Sequence, residues 1–322
     1  MKILITGSAG FIGYHLTKKF IKKNFNIIGI DNLNSYYDPK IKILRNKENK
    51  SKKYKFFKVD ICDKERLEKI IKKTRPKYII HLAAQAGVRY SIQNPKAYID
   101  SNLIGFFNII EAARKFKINH VIYASSSSVY GKQKKLPIKL DYNTNKPQSL
   151  YAATKKSNEI IAESYNHIFK IGFTGIRFFT NYGNQGRPDM AIYKFTKNII
   201  DNKKIYLFNK GNHKRDFTHI TDSTEFLLRL FIKRKNKKDH RIFNLASGKK
   251  VDLKVVLNLI EKNLNKKAKI LKYQLQKGDV KETHADISET IKFTKYKPKK
   301  NIKDGIKDFI EWFKSHKTKI WK

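Results

Sequence analysis

The sequence contains a single cysteine, Cys62, among 322 residues. One thiol excludes an internal disulfide and a cysteine-based metal cluster, so no metal site is predicted, and we expect Cys62 to be an inert, partly buried thiol. Long apolar runs are also missing, and none approaches the length that spans a membrane. The chain begins almost directly with a strand rather than a secretory peptide, so we expect a cytoplasmic protein without a membrane partner.

Acidic residues are scarce: 27 Asp and Glu stand against 71 Lys and Arg, which gives a formal net charge of +44. One interpretation is a nucleic-acid surface, because clustered lysines release the counterions of phosphates. The lysines are instead dispersed over nearly every predicted helix and loop, including 47–55 and 233–238, without an interleaved aromatic motif. This pattern favours solvated faces that attract polyanions weakly and no specific nucleic-acid partner.

Short apolar runs alternate with helical patterns along most of the chain. The predicted strands cover residues 2–6, 26–30, 56–60, 78–82, 120–124 and 172–179, and helical patterns include 64–73 and 105–117. This alternation predicts the α/β class, with a Rossmann-type doubly wound parallel sheet. The length allows one large unit or two unequal lobes.

The first predicted strand leads directly into Gly7-Ser-Ala-Gly-Phe-Ile-Gly13 and then into an amphipathic stretch. Gly7 suits a tight turn, Gly10 lets backbone approach a pyrophosphate, and Gly13 permits close helix–strand packing. The second strand ends in Asp31, whose carboxylate can accept both ribose hydroxyls and would repel a 2′-phosphate, which favours NAD over NADP. A glycine-rich turn without a ligand is the alternative. The residues predicted to bind the cofactor here are Gly7, Gly10, Phe11, Ile12, Gly13, Asp31 and Asn32.

Tyr151 and Lys155 are four residues apart, downstream of a serine run that includes Ser126. On a helix these positions share a face, so the ammonium can lie beside the phenol and lower its pKa. With a serine hydroxyl from a strand end and a nicotinamide cofactor, the set can move a proton and a hydride together. Each residue also has an ordinary structural interpretation: a buried tyrosine, a solvated lysine and a turn-capping serine.

Several longer motifs resemble the extended short-chain dehydrogenase/reductase family of nucleotide-sugar epimerases and dehydratases, and within it most closely the UDP-glucuronate 4-epimerases. The resemblance runs from Met1 to about Asp286. Its most specific stretches are Asp31-Asn-Leu-Asn-Ser-Tyr-Tyr-Asp38, His81-Leu-Ala-Ala-Gln-Ala-Gly-Val-Arg-Tyr-Ser91, Tyr123-Ala-Ser-Ser-Ser-Ser-Val-Tyr-Gly131, Ser149-Leu-Tyr-Ala-Ala-Thr-Lys155 and Gly186-Arg-Pro-Asp-Met-Ala191. Two positions depart from the family: residues 181–186 replace Val-Tyr-Gly-Pro-Trp-Gly, and Lys277 replaces a proline.

The resemblance implies further roles. Asp60 and Ile61 would border the adenine, Leu82, Ala83 and Ala84 would follow the dinucleotide, and Asn102 would support the cofactor site unless it only caps a helix. The implied contacts with a UDP-sugar are Met190 in the 186–191 motif, Phe208 in the segment that flanks uracil, Arg215 at the diphosphate and Asp279 at the uridine ribose. Tyr151, Lys155 and Ser126 would be catalytic.

The residues after Ser126 separate reaction types. Related 4,6-dehydratases and decarboxylases place an acid there, whereas this chain has Ser127 and Ser128, which favours 4-epimerisation through a 4-keto sugar with NAD regenerated. Arg187 could hold a uronate carboxylate with help from Ser127, Ser128 and Thr180, or be a surface residue, and Arg89 is the second cationic candidate. Alternatives are a 4-epimerase of neutral UDP-hexoses or UDP-N-acetylhexosamines, and a noncatalytic NAD-sensing or polyanion-binding protein.

The predicted NAD-binding domain covers residues 1–180, with 215–250 returning to it. Strand-like runs at 216–219 and 241–246 are expected to rejoin the main sheet. Residues 181–214 and 251–286 would form a small UDP-sugar lobe, followed by a helical segment over 287–322. Helices around 96–117 and 151–169 carry apolar residues on more than one face, and the family commonly pairs them in a homodimer, which we expect here.

Overall fold

A parallel seven-stranded sheet forms the centre of the protein. A computed structural model describes residues 1–276 and 279–320, with side chains to residue 316. The strands of this sheet are β1 (Lys2–Thr6), β2 (Asn26–Asp31), β3 (Tyr54–Lys58), β4 (Tyr78–His81), β5 (His120–Ser126), β6 (Gly172–Phe178) and β10 (His240–Leu245). Their order is β10-β6-β5-β4-β1-β2-β3, so the chain moves outward from β1 in both directions. The doubly wound fold predicted from the sequence is confirmed.

Helices cover both faces of this sheet. They are α3 (Lys64–Thr74), α6 (Gly105–Lys115) and α7 (Leu150–Phe169) on one face, and α1 (Phe11–Lys22) and α9 (Ile220–Arg234) on the other. Further helices lie in the connections that follow β2 and β4: α2 (Pro39–Glu48), α4 (Tyr90–Gln93) and α5 (Pro95–Tyr98). Alternate residues of β1 belong to two hydrophobic cores, one on each face of the sheet. Leu4 lies in the same core as Phe106 of α6, whereas Ile3 and Ile5 lie in the core of Phe226 of α9. Burial on both faces explains why the strands are continuous apolar runs.

A smaller lobe contains two short sheets. One consists of β7 (Thr180–Tyr182), β9 (Lys214–His219) and β11 (Lys250–Asp252), and the other of β8 (Lys204–Leu207) and β12 (Lys269–Lys272). Its helices are α8 (Ala191–Ile200), α10 (Leu253–Leu264) and α12 (Ile302–Ile320), while α11 (Ser288–Thr294) lies against α9 and β10. The C-terminal helix belongs to this core, where Phe309 and Phe313 pack with Tyr193.

The expectation that residues 216–219 rejoin the main sheet is wrong. β9 pairs with β7 and β11, and the chain returns to the main sheet through α9 and β10. Because β9 has β7 on one side and β11 on the other, its backbone groups are already paired within the small sheet. Its buried Asp216 accepts hydrogen bonds from the amides of Ser247, Gly248 and Ala285, and so ties β9 to the loop that follows β10. Within the described ranges, the structure contains no helix that is both long and apolar enough to cross a membrane.

Candidate active site

The glycine loop after β1 leaves the start of α1 open to a ligand. Gly10 precedes the helix without a side-chain cap, so the first amides of α1 are available to an anion. Gly7 has a φ of +69°, and a Cβ atom on it would lie 2.7 Å from the amide nitrogen of Ala83. A Cβ on Gly13 would lie 2.0 Å from the carbonyl oxygen of Gly7. Phe11 and Ile12 form the first helical residues. These residues fit a dinucleotide diphosphate.

The end of β2 supplies the acidic group beside this loop. Asp31 accepts hydrogen bonds from the amides of Ala9 and Leu33, at 3.2 and 2.9 Å. Asn32 donates to Asp60 over 2.8 Å, and the Cys62 amide donates to the same carboxylate. Burial alone would raise the pKa of Asp60, but these hydrogen bonds lower it overall. A cleft of about 470 Å³ opens here, lined by Asn32, Asn34, Lys58, Val59, Asp60 and Arg66. Ile61 directly follows Asp60 in the chain.

Asn102 joins the loop after β4 to the helix that carries Tyr151. Its side chain accepts from the amide of Gln85 and donates to the carbonyl of Gln85 and to the hydroxyl of Thr154. It lies in a π-helical turn, Ile99–Ile104, between α5 and α6. Leu82, Ala83 and Ala84 precede Gln85 and begin where β4 ends, and the Ala83 amide donates to Thr6 at the end of β1. Asn102 is therefore a bridge rather than a helix cap.

Tyr151 and Ser126 meet where α7 begins and β5 ends. Burial raises the pKa of Tyr151, while a hydrogen bond with Ser126 and the charge of Arg187 oppose that rise. Lys155 instead donates to the carbonyl oxygen of Ala124 at 2.8 Å, and burial lowers its pKa to about 8. The lysine thus reaches across to β5, and Arg187 is a second cation that acts on Tyr151. The action of Lys155 on the phenol stays a prediction.

A buried ionic network supports this part of α7. Glu159 accepts two hydrogen bonds from Arg177 of β6, at 2.8 and 2.9 Å, and one from Ser125 at 2.6 Å. Arg177 also donates to the hydroxyl of Tyr130, which donates to Asn244 of β10. The network ties α7 to three neighbouring strands. It fixes the position of Ser126, which directly follows Ser125.

Arg187, the predicted carboxylate ligand, is already paired within the protein. Its Nε and Nη2 atoms donate to the two carboxylate oxygens of Asp189, at 2.9 and 2.5 Å. The hydroxyl of Tyr36 donates to the same carboxylate at 3.1 Å. Neither partner of Arg187 was predicted from the sequence. Its loop is held by Arg45, a fully buried side chain that donates to the carbonyls of Gln185 and Gly186.

The candidate hydroxyl ligands follow two neighbouring strands. Ser127 and Ser128 open a 3₁₀ turn, Ser127–Tyr130, directly after β5, and the hydroxyls of Ser126 and Ser128 are 3.2 Å apart. Thr180 begins β7, two residues after Phe178, which ends β6. β5 and β6 are parallel neighbours, so these hydroxyls leave the main sheet at the same edge.

Met190 lies beside Arg187 at the start of α8. It precedes the first residue of that helix, and its amide donates to the carbonyl oxygen of Arg187 over 3.2 Å. This backbone bond closes the turn that also contains Asp189. Met190 is therefore held close to the Arg187 loop, as the 186–191 motif implied.

The residues predicted to bind the nucleotide of a UDP-sugar form a second cluster, and Arg89, predicted as the second cationic candidate for the uronate carboxylate, lies within it. Arg89 pairs with Asp279 at 2.7 Å and lies over the ring of Phe208, 4.6 Å from its centre. Arg215 donates to the carbonyl oxygens of Val280 and Lys281. The structure thus brings Arg89, Phe208 and Asp279 together and places Arg215 beside the same segment. Lys277, one of the two departures from the family pattern, lies outside the described residues.

Known proteins resemble this chain over nearly its whole length. Protein CapI of Staphylococcus aureus is 44% identical over 97% of this chain and 98% of its own. UDP-glucuronate 4-epimerase 4 of Arabidopsis thaliana is 39% identical over 98% of this chain and 75% of its own. The crystal structure of UDP-glucuronic acid 4-epimerase from Bacillus cereus, in complex with UDP-glucuronic acid and NAD, has a TM-score of 0.92 at 29% identity and covers 98% of this chain and 99% of that one.

The family assignment follows from a match along most of the chain. The model of the NAD dependent epimerase/dehydratase family matches residues 3–246, which include the glycine loop, the serine run, Tyr151 and Lys155. This confirms the resemblance stated from the motifs, and it agrees with NAD as the predicted cofactor. The chain therefore belongs to the NAD dependent epimerase/dehydratase family of enzymes.

Proposed function

We propose that this protein is an NAD-dependent 4-epimerase of UDP-hexuronic acids, which converts UDP-glucuronate to UDP-galacturonate through a transient 4-keto sugar. The observation that carries the proposal is the arrangement around Tyr151: the Ser126 hydroxyl and the Arg187 charge both act on the phenol and oppose the rise of its pKa on burial. A base and a cation suited to a carboxylate therefore border the same space. The similarity to UDP-glucuronate 4-epimerases supports the substrate class.

The residues that would hold NAD lie along the carboxyl ends of the parallel strands, where ligands bind in doubly wound folds. They are Gly7, Gly10, Phe11, Ile12 and Gly13 at the diphosphate, Asp31 and Asn32 at the ribose, Asp60 and Ile61 at the adenine, and Leu82, Ala83, Ala84 and Asn102 along the remainder. Bound NAD would accept a hydride from the sugar C4 and return it. The open N-terminus of α1 and the close approach of Gly7 to Ala83 support this placement.

The protein's own side chains would move the proton. Tyr151, as the phenolate, takes the proton of the sugar 4-hydroxyl, and the Ser126 hydroxyl assists as a hydrogen-bonding partner. Burial opposes the phenolate, whereas the Ser126 hydroxyl and the positive charge of Arg187 favour it. Lys155 would supply a further positive charge and is held by Ala124. Returning the hydride to the opposite face of C4, and the proton from Tyr151 to the 4-oxygen, completes the epimerisation.

The residues beside Ser126 favour epimerisation over dehydration or decarboxylation. Ser127 and Ser128 cannot supply the acid that those reactions require, and with Thr180 they can hold a uronate carboxylate by neutral hydrogen bonds. A neutral UDP-hexose or UDP-N-acetylhexosamine is the competing substrate class. Arg187 favours the uronate, because a guanidinium binds a carboxylate through charge-assisted hydrogen bonds that a neutral sugar cannot make.

Product analysis of purified protein tests this proposal. The protein would be incubated with UDP-glucuronate, UDP-glucose and UDP-N-acetylglucosamine, and the products identified by NMR. We expect UDP-galacturonate as the main product and slower or no turnover of the neutral sugars. Tyr151→Phe should retain bound NAD and lose about a hundredfold or more in rate, because only the ionisable oxygen is removed. Preferred turnover of a neutral sugar would reject the uronate, and wild-type rates in Tyr151→Phe would reject the mechanism.

A homodimer is part of the proposal. Phe107 of α6 is 44% exposed, and Ile160 and Ile168 of α7 are 59% and 61% exposed, so neighbouring helices present large apolar side chains to solvent. A second copy packed on these helices would cover them. Light scattering at micromolar concentration should give the mass of a dimer. Ile160→Glu should weaken it, whereas Ile232→Glu, at a comparably exposed site on α9, should not; a monomeric wild type would exclude the dimer.

A further inference from the structure

The ion pair between Arg187 and Asp189 is held in place by residues of neighbouring loops, and the proposed catalytic roles do not explain this arrangement. Both side chains are about a quarter exposed, at 24% and 23%, and they form two parallel hydrogen bonds. Tyr36, from the segment between β2 and α2, donates a third hydrogen bond to Asp189. A Cβ on Gly87, whose φ is +106°, would lie 3.0 Å from the Tyr36 hydroxyl. The carboxylate is therefore enclosed by two separate loops.

The charges around this pair come from several elements. Tyr151 on α7, Tyr98 on α5 and Tyr36 all interact electrostatically with Arg187, as does Lys42 on α2. Lys194 on α8 acts on Asp189. Burial would raise the pKa of Asp189, but the charge and hydrogen bonds of Arg187 lower it overall, so this carboxylate is ionised at neutral pH. The pair consequently carries no net charge.

We propose that Asp189 is a positioning residue that fixes the guanidinium of Arg187 and offsets its charge, with Tyr36 holding Asp189 in place. The proposal deepens the proposed function and rests on it for the identity of the substrate. Arg187 has five N–H donors, and the contacts with Asp189 use its Nε edge. The Nη1 group can then donate to the carboxylate of a UDP-hexuronate without displacing Asp189.

The charge of Asp189 matters because Arg187 acts on two acidic groups, the phenol of Tyr151 and the carboxylate of the substrate. An uncompensated guanidinium would favour the Tyr151 phenolate at rest and would bind a substrate carboxylate tightly. With Asp189 in place, the phenolate remains a strong enough base to take the 4-hydroxyl proton, and the sugar can be released and turned. A lone arginine would also have freedom to follow the carboxylate, whereas one held at two atoms presents a fixed direction. Asp189 thus lets Arg187 orient the substrate carboxylate without binding it too tightly.

The first test uses the protein without substrate. The ionisation of Tyr151 would be followed by ultraviolet absorbance, as the difference between each variant and the same variant with Tyr151→Phe. Asp189→Asn should lower the pKa of Tyr151 by about one unit, because a neutral side chain leaves the Arg187 charge unopposed. Asp189→Glu keeps the charge and should restore the titration. Asp189→Ala removes the same charge and should shift it in the same direction, which guards against misfolding of one variant.

The second test uses UDP-glucuronate. Asp189→Asn should lower both KM and kcat, each by roughly tenfold, because the carboxylate meets a stronger cation that is no longer fixed. A residue needed only for folding would lower the active fraction and leave KM unchanged. An unchanged Tyr151 titration in Asp189→Asn and Asp189→Ala would overturn the inference. Failure of the wild type to act on UDP-glucuronate would instead overturn the proposed function, since the substrate-free titration does not depend on it.

Discussion

Lys155 donates a hydrogen bond of 2.8 Å to the carbonyl oxygen of Ala124, two residues before Ser126 on β5. The bond spans from α7 to the central sheet, and burial of the amine lowers its pKa to about 8. The lysine and the serine are thereby placed relative to each other through one strand. Tyr151, one helical turn before Lys155, is placed by the same helix.

The lowered pKa of Lys155 predicts how activity depends on pH. Below about 8 the ammonium predominates, and above it the neutral amine does, so a reaction that needs the cation should slow as pH rises through about 8. Measurement of kcat/KM against pH checks this. Lys155→Arg keeps its charge at alkaline pH, so the alkaline fall in kcat/KM should move to higher pH, although the maximal rate should be lower. Activity that keeps rising well above pH 8 in the wild type would contradict a role for the ammonium.

The sequence was sufficient to predict the main sheet, because its strands are buried on both faces and read as apolar runs between helical patterns. It was not sufficient for β9, which pairs with β7 and β11 and whose Asp216 accepts hydrogen bonds from amides of Ser247 and Ala285. Those contacts join residues that are 31 and 69 positions apart in the chain. No local pattern could reveal them.

The candidate site, too, could be predicted only in part from the sequence. Spacing placed Tyr151 and Lys155 on one helical face, but it could not show that the lysine reaches Ala124 on β5. Asp189 lies two residues after Arg187 within the 186–191 motif, so a signal for their pairing was present. Tyr36 lay in another motif, and its contact with Asp189 spans 153 residues. Pairing across loops depends on the folded arrangement and not on spacing.

Arg187 is expected to determine the substrate class. Arg187→Ala should weaken binding of UDP-glucuronate by about 2 kcal/mol, roughly thirtyfold, and affect UDP-glucose little, because a charged hydrogen bond is lost. The change also leaves the Asp189 carboxylate without its cation, which adds repulsion. The double variant Arg187→Ala/Asp189→Ala should therefore recover part of the loss. Isothermal titration with both nucleotide sugars measures this; equal losses for the two would place Arg187 in the scaffold or at the diphosphate.

The buried pair between Glu159 and Arg177 should contribute to stability. Their side chains are 2% and 5% exposed, so Glu159→Gln leaves a buried cation poorly compensated and should lower the free energy of unfolding by about 3 kcal/mol or more. Glu163→Gln, at a carboxylate that is 67% exposed on the same helix, is the matched control and should change it by less than about 1 kcal/mol. Urea denaturation measures both, and similar losses in the two variants would contradict the prediction.

Acid unfolding gives a second measure of this pair. Burial would raise the pKa of Glu159, but hydrogen bonds and the charge of Arg177 lower it overall. A carboxylate whose pKa is lower in the folded state stabilises the protein above its unfolded pKa, and this contribution is lost as pH falls through the folded pKa. Glu159→Gln should remove that part of the acid dependence, so its stability should fall less steeply than that of the wild type on acidification.

The last prediction concerns loss of carbon dioxide from the 4-keto intermediate. A 4-keto hexuronate is a β-keto acid, and it decarboxylates when its C5–carboxylate bond aligns with the carbonyl π-system. We expect Ser127, Ser128 and Thr180, together with Arg187, to hold the carboxylate away from that alignment. The wild type should therefore yield UDP-galacturonate with almost no pentose product.

Thr180→Val removes a hydroxyl with little change in shape, so it should raise pentose formation relative to epimerisation. Ser128→Ala should do the same but also disturb Ser126, whose hydroxyl lies 3.2 Å from that of Ser128. Thr196→Val, at a fully buried hydroxyl on α8, serves as a control for loss of a threonine elsewhere and should leave the product ratio unchanged. NMR of the products from carboxyl-labelled UDP-glucuronate gives the ratio. A wild type that forms mainly pentose would be a decarboxylase, and the hydroxyls after Ser126 would then not protect the carboxylate.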